Sequence, residues 1–429
     1  MAAMTERPAR RLKVLVLAPP LQAVGGIQNY VQTLFAALQN VLGEDNVRIV
    51  AVPGEPQQRN DGSSALPPFV KLRFLASALA AAISWTPDLI ICAHIGVAPA
   101  GRIIQKLTRT PYWVILYGIE VWSELSPSKQ KALRATQRLV SITRFTLNAT
   151  ITRHSLGNPR ALILPPTLPK EKTPLPATAR ASSDDAQPLM VLTVGRVASS
   201  ERYKGHDVML EAWPSVLRRL PDAVYWIVGG GDDLARLEAK ARELGIAGSV
   251  RFAGPVSPEE LALCYHRCCV FAMPARTELD ARTPRGEGFG IVYLEAMAHG
   301  KPVVGPRAGA PAEFIRDGEH GLLVDPTSVS EVADALIELL GVPERARRMG
   351  ESARQFVTSE FSFESFCKRL REGLRGIAVP NQNGGTWKDA NSCDRSDRIC
   401  RKPLAGAPSR TRGPRPLLVT TLCYRALCP

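Results

Sequence analysis

The sequence predicts an α/β protein made of two doubly wound, parallel-sheet (Rossmann-like) domains facing a central cleft. Three observations carry that prediction. Short apolar runs alternate with amphipathic stretches through both halves of the chain. The runs lack period-2 alternation, as expected of parallel strands covered on both faces. A polar segment at 170–188 (KEKTPLPATARASSDDAQP) has no apolar period and reads as a linker, after which the alternation restarts.

In the first half the apolar runs fall at 14–18, 47–51, 89–93, 112–117, 139–143 and 161–164, each predicted as a strand. The basic residues Arg7, Arg10, Arg11 and Lys13 before the first run resemble a signal peptide. The run is too short for a secretory core and ends at Pro19-Pro20, so it reads as a buried strand. Residues 27–42 place Ile27, Tyr30, Val31, Leu34, Phe35 and Leu38 at helical spacing. The Pro/Gly-rich segment 53–68 reads as a loop. Residues 69–85 (FVKLRFLASALAAAISW) form an Ala-rich helical pattern with Lys71 and Arg73 near its start.

In the second half strands are predicted at 189–194, 223–228, 249–252, 269–273 and 302–304. Helices are predicted at 205–219, 232–244, 258–266 and 291–299, and a helical segment spans 329–373. The domain boundaries that follow are 1–180 for a first domain and 187–360 for a second domain. A C-terminal helix at 361–377 could cross back to the first domain, and 378–429 forms a basic tail. Both halves open with a strand, a Gly-bearing loop and a helix, which brings strand C-terminal edges around a shared cleft.

Composition narrows the class. The chain has 429 residues, 45% apolar and 22% charged, values that exclude a wholly disordered or collagen-like protein. The uncharged, largely apolar stretch 74–87 is shorter than the roughly 18–20 residues of a spanning helix. Nine cysteines are too sparse and irregular for a disulfide framework, and Cys264, Cys268 and Cys269 lack zinc-site partners. A cytoplasmic location fits. The formal charge is +14, and nine Lys/Arg against three Asp sit in the tail alone, which has few aliphatic residues and is expected to be disordered. Such a charge points to a phosphate-bearing partner or to a solvated surface. No interleaved aromatic platform supports nucleic acid.

Four features at strand ends could face phosphate. Gly25-Gly26 precedes the first helix, where backbone N–H groups can approach an anion; most such pairs are simply turns. Arg196 leaves a strand end and Lys204 sits where the next helix begins. Two converging cations suit a departing diphosphate, although surface lysines are common. Gly229-Gly230-Gly231-Asp232 opens another helix and suits either a close nucleotide or a structural tight turn. The most informative stretch is Glu287-Gly288-Phe289-Gly290 followed by Glu295. Glu287 lies on the loop before a helix and Glu295 lies about five residues into it, some 7–8 Å along the axis. One carboxylate could meet a sugar and the other a ribose; alternatively Glu295 is an exposed helix acid. Its apolar neighbours favour burial.

The stretches EGFGIVYLEAMAHGKPVVG and GAPAEFIRDGEHGLLVDP resemble the signature of retaining family 4 glycosyltransferases of the GT-B fold. VGRVASSERYKGHD, GGIQNYVQTLFAAL and YGIEVW are similar to the same family, so the likeness spans about 12–373. The resemblance implies a hexosyltransferase that uses a UDP- or GDP-sugar donor and a saccharide or lipid-linked acceptor, with retention, in polysaccharide or glycoconjugate biosynthesis. It implies Arg196 and Lys204 on the donor diphosphate, Glu287 close to the donor sugar and Glu295 on the ribose. The Gly288-Phe289-Gly290 backbone would touch sugar hydroxyls, with Gly229 and Gly231 near the nucleotide and Gly25 and Gly26 closing over the phosphates. No metal and no other cofactor is expected, since two fixed cations and helix N-termini can neutralise the leaving group. Many relatives carry a histidine where this chain has Tyr117; Tyr117, Glu120 and His94 are the candidates on the acceptor side. The other enzyme classes considered are a sugar-nucleotide epimerase and a phosphorylase, and a non-catalytic sugar-nucleotide binder is the alternative outside catalysis. The 69–85 helix either contacts an anionic membrane peripherally or packs against the first sheet.

Overall fold

The computed structural model describes residues 12–22, 25–54, 67–168, 189–280, 283–375 and 377. The expected linker at 170–188, the basic tail at 378–429 and most of the expected 53–68 loop lie outside the described residues.

The first sheet holds six strands: β1 (Val14–Ala18), β2 (Val47–Ala51), β3 (Leu89–Cys92), β4 (Tyr112–Leu116), β5 (Arg138–Ser141) and β6 (Ala161–Ile163). All are parallel, in the order β2-β1-β3-β4-β5-β6. Their connections carry α1 (Gly26–Leu42), α2 (Pro68–Trp85), α3 (Ala98–Thr108), α4 (Ile119–Trp122), α5 (Pro127–Ala135) and α6 (Arg144–His154). Strands β1, β3 and β4 are buried throughout, which is why their sequences are unbroken apolar runs, whereas the edge strand β2 is only partly buried.

The second sheet holds β7 (Met190–Val194), β8 (Val224–Val228), β9 (Val250–Gly254), β10 (Val270–Ala272), β11 (Val303–Pro306) and β12 (Gly321–Val324). These are also parallel, in the order β12-β11-β10-β7-β8-β9. Around them lie α7 (His206–Arg219), α8 (Leu234–Glu243), α9 (Pro258–Arg267), α10 (Ile291–Ala298), α11 (Val329–Gly341), α12 (Pro343–Glu360) and α13 (Phe363–Leu374).

Strand order decides where a site can form. In each sheet the connections reverse direction beside the first strand, between β1 and β3 and between β7 and β10. At such a reversal the loops leaving two neighbouring strands diverge and open a crevice at the strand C-termini. The loops that leave β7 and β10 carry Arg196 and Glu287; the loop that leaves β3 carries His94.

Several elements differ from the sequence expectation. The helical segment 329–373 is three helices, because Pro343 occupies the first turn of α12 and Ser362 accepts from the Ser365 N–H to start α13. Strand β12 has only four residues and was not expected, nor were α3, α5 and α6. Helix α13 returns to the first domain: Phe366 packs edge-on to Tyr30 at 5.7 Å and Arg138 Nη1 donates to the Gly373 carbonyl at 2.6 Å.

Helix α2 meets, by length and mean hydropathy, the measure of a membrane-crossing segment, which its uncharged stretch alone did not suggest. It is nevertheless part of the first domain, burying Phe74, Ala78, Ala82 and Trp85 and packing beside α3 and β2.

Candidate active site

The loop after β7 is built from glycine outward. Gly195 N–H donates to the Val228 carbonyl at 3.0 Å and Val197 N–H to Gly230 at 2.9 Å. Gly229 (φ +131) and Gly231 (φ +159) press against this loop so closely that a Cβ on either would overlap the carbonyl oxygen of Gly195 or Val197. Of the two readings of these glycines, close nucleotide or tight turn, the protein's own backbone already requires the turn. Asp232 continues the scaffold, accepting from Ser199 N–H at 2.9 Å and Ser199 Oγ at 2.6 Å. Asp233 binds Arg202 through two hydrogen bonds at 3.0 and 2.7 Å. The Gly-Gly-Gly-Asp run therefore clamps the turn that presents Arg196 and Lys204.

That turn is a 3-10 segment, Ser199–Lys204, kinked at Glu201 (φ −118, ψ 24). Both expected cations converge on Glu201. Arg196 Nη2 pairs with Glu201 Oε1, and Lys204 Nζ lies 3.1 Å from Glu201 Oε2. The Lys204 chain lies along Gly195, where a Cβ would sit 3.2 Å from Nζ. The side chains of Glu201 and Lys204 are 10% and 13% exposed; that of Arg196 is 78% exposed. Glu201 was not foreseen, although its i,i+3 spacing to Lys204 was a legible signal.

Glu287 closes the cluster from the loop after β10. Burial pushes its carboxyl up; Lys204, Arg196 and the Gly290 N–H oppose that rise, while Glu201 adds to it. Gly290 (φ +88) starts α10 in the left-handed region, where a Cβ would meet the Tyr293 ring at 2.6 Å and Glu287 Cγ at 3.3 Å. Phe289 contributes only backbone here: its ring stacks on Phe314 at 4.9 Å and packs edge-on to Phe361. Glu295 is buried inside the second domain, where Tyr265 Oη donates to its Oε2 at 2.9 Å. Tyr265 is another residue the sequence reading missed.

The first domain meets this loop at Gly288. A Cβ there would lie 2.5 Å from the Tyr117 carbonyl oxygen, and one on Gly118 (φ +151) would lie 3.1 Å from Gly288 Cα. The two glycines let the backbones of the two domains touch beside Glu287. On the first-domain side Glu120 Oε1 accepts from Tyr117 N–H at 2.6 Å, and Tyr117 Oη donates to Ala93 O at 3.0 Å. Burial raises the Glu120 carboxyl, opposed by the N–H groups of Tyr117, Glu120 and Gly118. His94 stacks on the Tyr117 ring at 6.3 Å. Its Nδ1 accepts from Gly96 N–H at 3.0 Å, so the neutral ring carries its proton on Nε2. Burial, with Lys129 nearby, lowers its pKa to about 4.

A second contact joins the domains. Glu313 accepts from Arg144 N–H at 2.8 Å and also from Phe145 N–H, capping α6 of the opposite domain, while Thr143 Oγ1 serves the Thr146 N–H. Glu313 adjoins Phe314, whose stacking on Phe289 ties this cap to the Gly288 loop.

The structure thus gathers Arg196, Lys204 and Glu287 on one side and Tyr117, Glu120 and His94 on the other, meeting at Gly288. Glu295 stands in the second domain against Tyr265. Gly25 is extended (φ −178) and caps α1, and a Cβ on Gly26 would meet nothing within 4 Å, so the fold itself does not demand glycine at 26. Among the described residues no group of three or more His, Cys, Asp or Glu could hold a metal.

Comparison with known proteins follows the same lines. Residues 178–356 match the family model "Glycosyl transferases group 1". The chain is 35% identical over 270 residues to the GDP-mannose-dependent alpha-(1-6)-phosphatidylinositol monomannoside mannosyltransferase of Mycolicibacterium smegmatis, covering 61% of this chain and 69% of that one. It is 40% identical over 176 residues to the protein of the same name from Mycobacterium tuberculosis, of which it spans 44%. It is 36% identical over 220 residues to D-inositol 3-phosphate glycosyltransferase of Corynebacterium urealyticum, covering 49% of this chain and 50% of that one. Among solved structures, a glycosyltransferase from Rickettsia africae superposes with a TM-score of 0.67 at 18% identity, over 86% of this chain and 99% of that one. Anabaena HepE in complex with UDP gives 0.66 at 17%, over 85% and 99%. These structural likenesses concern the fold.

Proposed function

We propose that this chain, which belongs to the glycosyl transferases group 1 family, moves a hexosyl group from a nucleotide-diphosphate sugar to a lipid-linked saccharide acceptor. Membership makes it a glycosyltransferase. GDP-mannose is the first donor to test, because it is named for the mannosyltransferases of Mycolicibacterium and Mycobacterium. The observation that carries the reading is the convergence of Arg196, Lys204 and Glu287 beside the Tyr117–Gly288 contact.

In this reading Arg196 and Lys204 stabilise the negative charge that grows on the diphosphate as the glycosidic bond breaks. Glu287, partly desolvated and held by the Gly290 N–H, orients the donor sugar. His94 offers an Nε2–H donor to a sugar hydroxyl, with Tyr117 as its platform. The cations make a divalent metal unnecessary, so excess EDTA should leave turnover unchanged. A panel of GDP- and UDP-hexoses, read by release of GDP or UDP with the anomeric configuration of the product checked by NMR, tests the assignment. Absence of release with every donor and a lipid-linked saccharide would refute it.

Peripheral contact with an anionic membrane belongs to the same proposal. Helices α2, α3 and α5 pack side by side on the first domain and contain no acidic residue. They carry Lys71, Arg73, Arg102, Lys106, Lys129, Lys131 and Arg134, with Phe69 71% and Leu72 68% exposed among them. Apolar side chains flanked by cations suit an interface of anionic headgroups. Vesicle flotation should recover the protein with anionic lipid and not with zwitterionic lipid alone; equal recovery would refute it.

A further inference from the structure

Glu201 is the least expected member of the cation cluster. It is buried, it meets both cations, and its place is fixed from either side by Asp232 on Ser199 and Asp233 on Arg202. Arg202 has its own partner in Asp233, so the turn keeps its shape without help from Glu201. Arg196 is mostly exposed, and among the described residues its ion-pair partner is Glu201. Glu287 lies alongside, so both cations already face carboxyls within the protein.

We propose that Glu201 is an internal counter-anion that competes with the donor's diphosphate for Arg196 and Lys204, and so sets how tightly the product nucleoside diphosphate is held. This rests on reading Arg196 and Lys204 as the diphosphate-binding cations. Cleavage of the sugar–phosphate bond leaves a nucleoside diphosphate with one more negative charge than the donor had in its diphosphate. Two unopposed cations would bind that product most tightly at the moment it must leave. A carboxylate tethered within reach re-pairs with the cations as the product departs, which lowers product affinity more than donor affinity. Glu201 is therefore a positioning residue, whose effect reaches the reaction through Arg196 and Lys204.

The opposing outcomes are distinct. A merely structural role predicts that removing Glu201 loosens the cations and weakens nucleotide binding; competition predicts that binding tightens. By titration calorimetry, Glu201→Gln and Glu201→Ala, which remove the same charge with different packing, should bind GDP or UDP about three- to tenfold more tightly. Glu201→Asp, which keeps the charge, should stay within about twofold of the parent. Steady-state kinetics of the Gln variant should show KM and kcat falling together, as expected when product release slows. Unchanged or weaker nucleotide binding in Gln and Ala variants that melt like the parent overturns the proposal. Independently of any variant, a crystal structure of the parent with GDP or UDP should show phosphate oxygens on Arg196 and the Arg196–Glu201 pair opened; an intact pair beside bound phosphate overturns it. If Arg196→Ala and Lys204→Ala leave nucleotide binding unaltered, the underlying diphosphate reading fails as well; if they abolish binding while Glu201→Gln does not tighten it, only the competition fails.

Discussion

The two halves of the cleft solve the same problem, presenting polar groups at a sheet's C-terminal edge, by opposite means. The second domain uses full charges paired with one another: Arg196 and Lys204 on Glu201, with Glu287 nearby. The first uses groups satisfied by their own backbone: Glu120 on the Tyr117 N–H, Tyr117 on the Ala93 carbonyl, His94 on the Gly96 N–H. Paired charges can exchange partners at modest cost, because an incoming anion replaces the outgoing one. Groups bonded to backbone cannot move without leaving a buried donor or acceptor unmade. In the proposed function the adjustable half takes the substrate that changes charge, and the rigid half the one that must be held in position.

The largest test of that contrast removes a cation. Arg196→Ala and Lys204→Ala should each cost about 2.7–4 kcal/mol of transition-state stabilisation, or about 10²–10³ in turnover, without lowering the melting temperature much. Near-parental turnover in both would break the contrast at its root.

A buried histidine in the charged half gives the next effect. His206 opens α7 beside Lys204, and burial, reinforced by Lys204 and opposed by Asp207, the Arg196 backbone and Asp233, lowers its pKa to about 4. The unfolded chain takes up that proton near pH 6.5, so the neutral ring's contribution is complete above 6.5 and is lost as pH falls towards 4. That loss is on the order of 3 kcal/mol, and denaturant midpoints between pH 7 and 4 should fall less steeply for His206→Gln. An identical slope in the variant removes His206 from the account.

Gly288→Ala sharpens the comparison at the seam between the halves. A methyl group 2.5 Å from the Tyr117 oxygen must push the domains apart, with an expected cost of about 1–3 kcal/mol and a fall in kcat. Turnover equal to the parent would show that the seam tolerates separation. Smallest is the second seam: Glu313→Ala strips two N–H partners from α6 and should cost about 0.5–2 kcal/mol by thermal unfolding. If Glu313→Ala matches the parent in melting temperature, that cap contributes nothing to the joined state.

Much of this was legible in the chain. The buried parallel strands appear as uninterrupted apolar runs because both faces of each strand are covered, and β1, β4 and β7 need little else to be found. Arg196, Lys204 and Glu287 were visible because strand ends, glycines and charges coincide within short windows. Edges and short pieces were harder: β12 has four residues, and α3, α5 and α6 lie between strands whose apolar runs dominate the pattern.

Local sequence by itself thus determined the α/β alternation, the two-domain division and the identity of the cations, since each depends on residues within a turn or two of one another. Only the tertiary structure decided what those groups touch. The Gly229–Gly231 run reads in sequence as either a nucleotide loop or a tight turn, and its glycines are required by the Gly195 and Val197 carbonyls more than thirty residues earlier in the chain. Gly118 and Gly288 become a seam, and Glu313 a cap for Arg144 and Phe145, through contacts between residues some 170 positions apart. Such pairings follow from strand order and domain packing, and no window of sequence contains both partners.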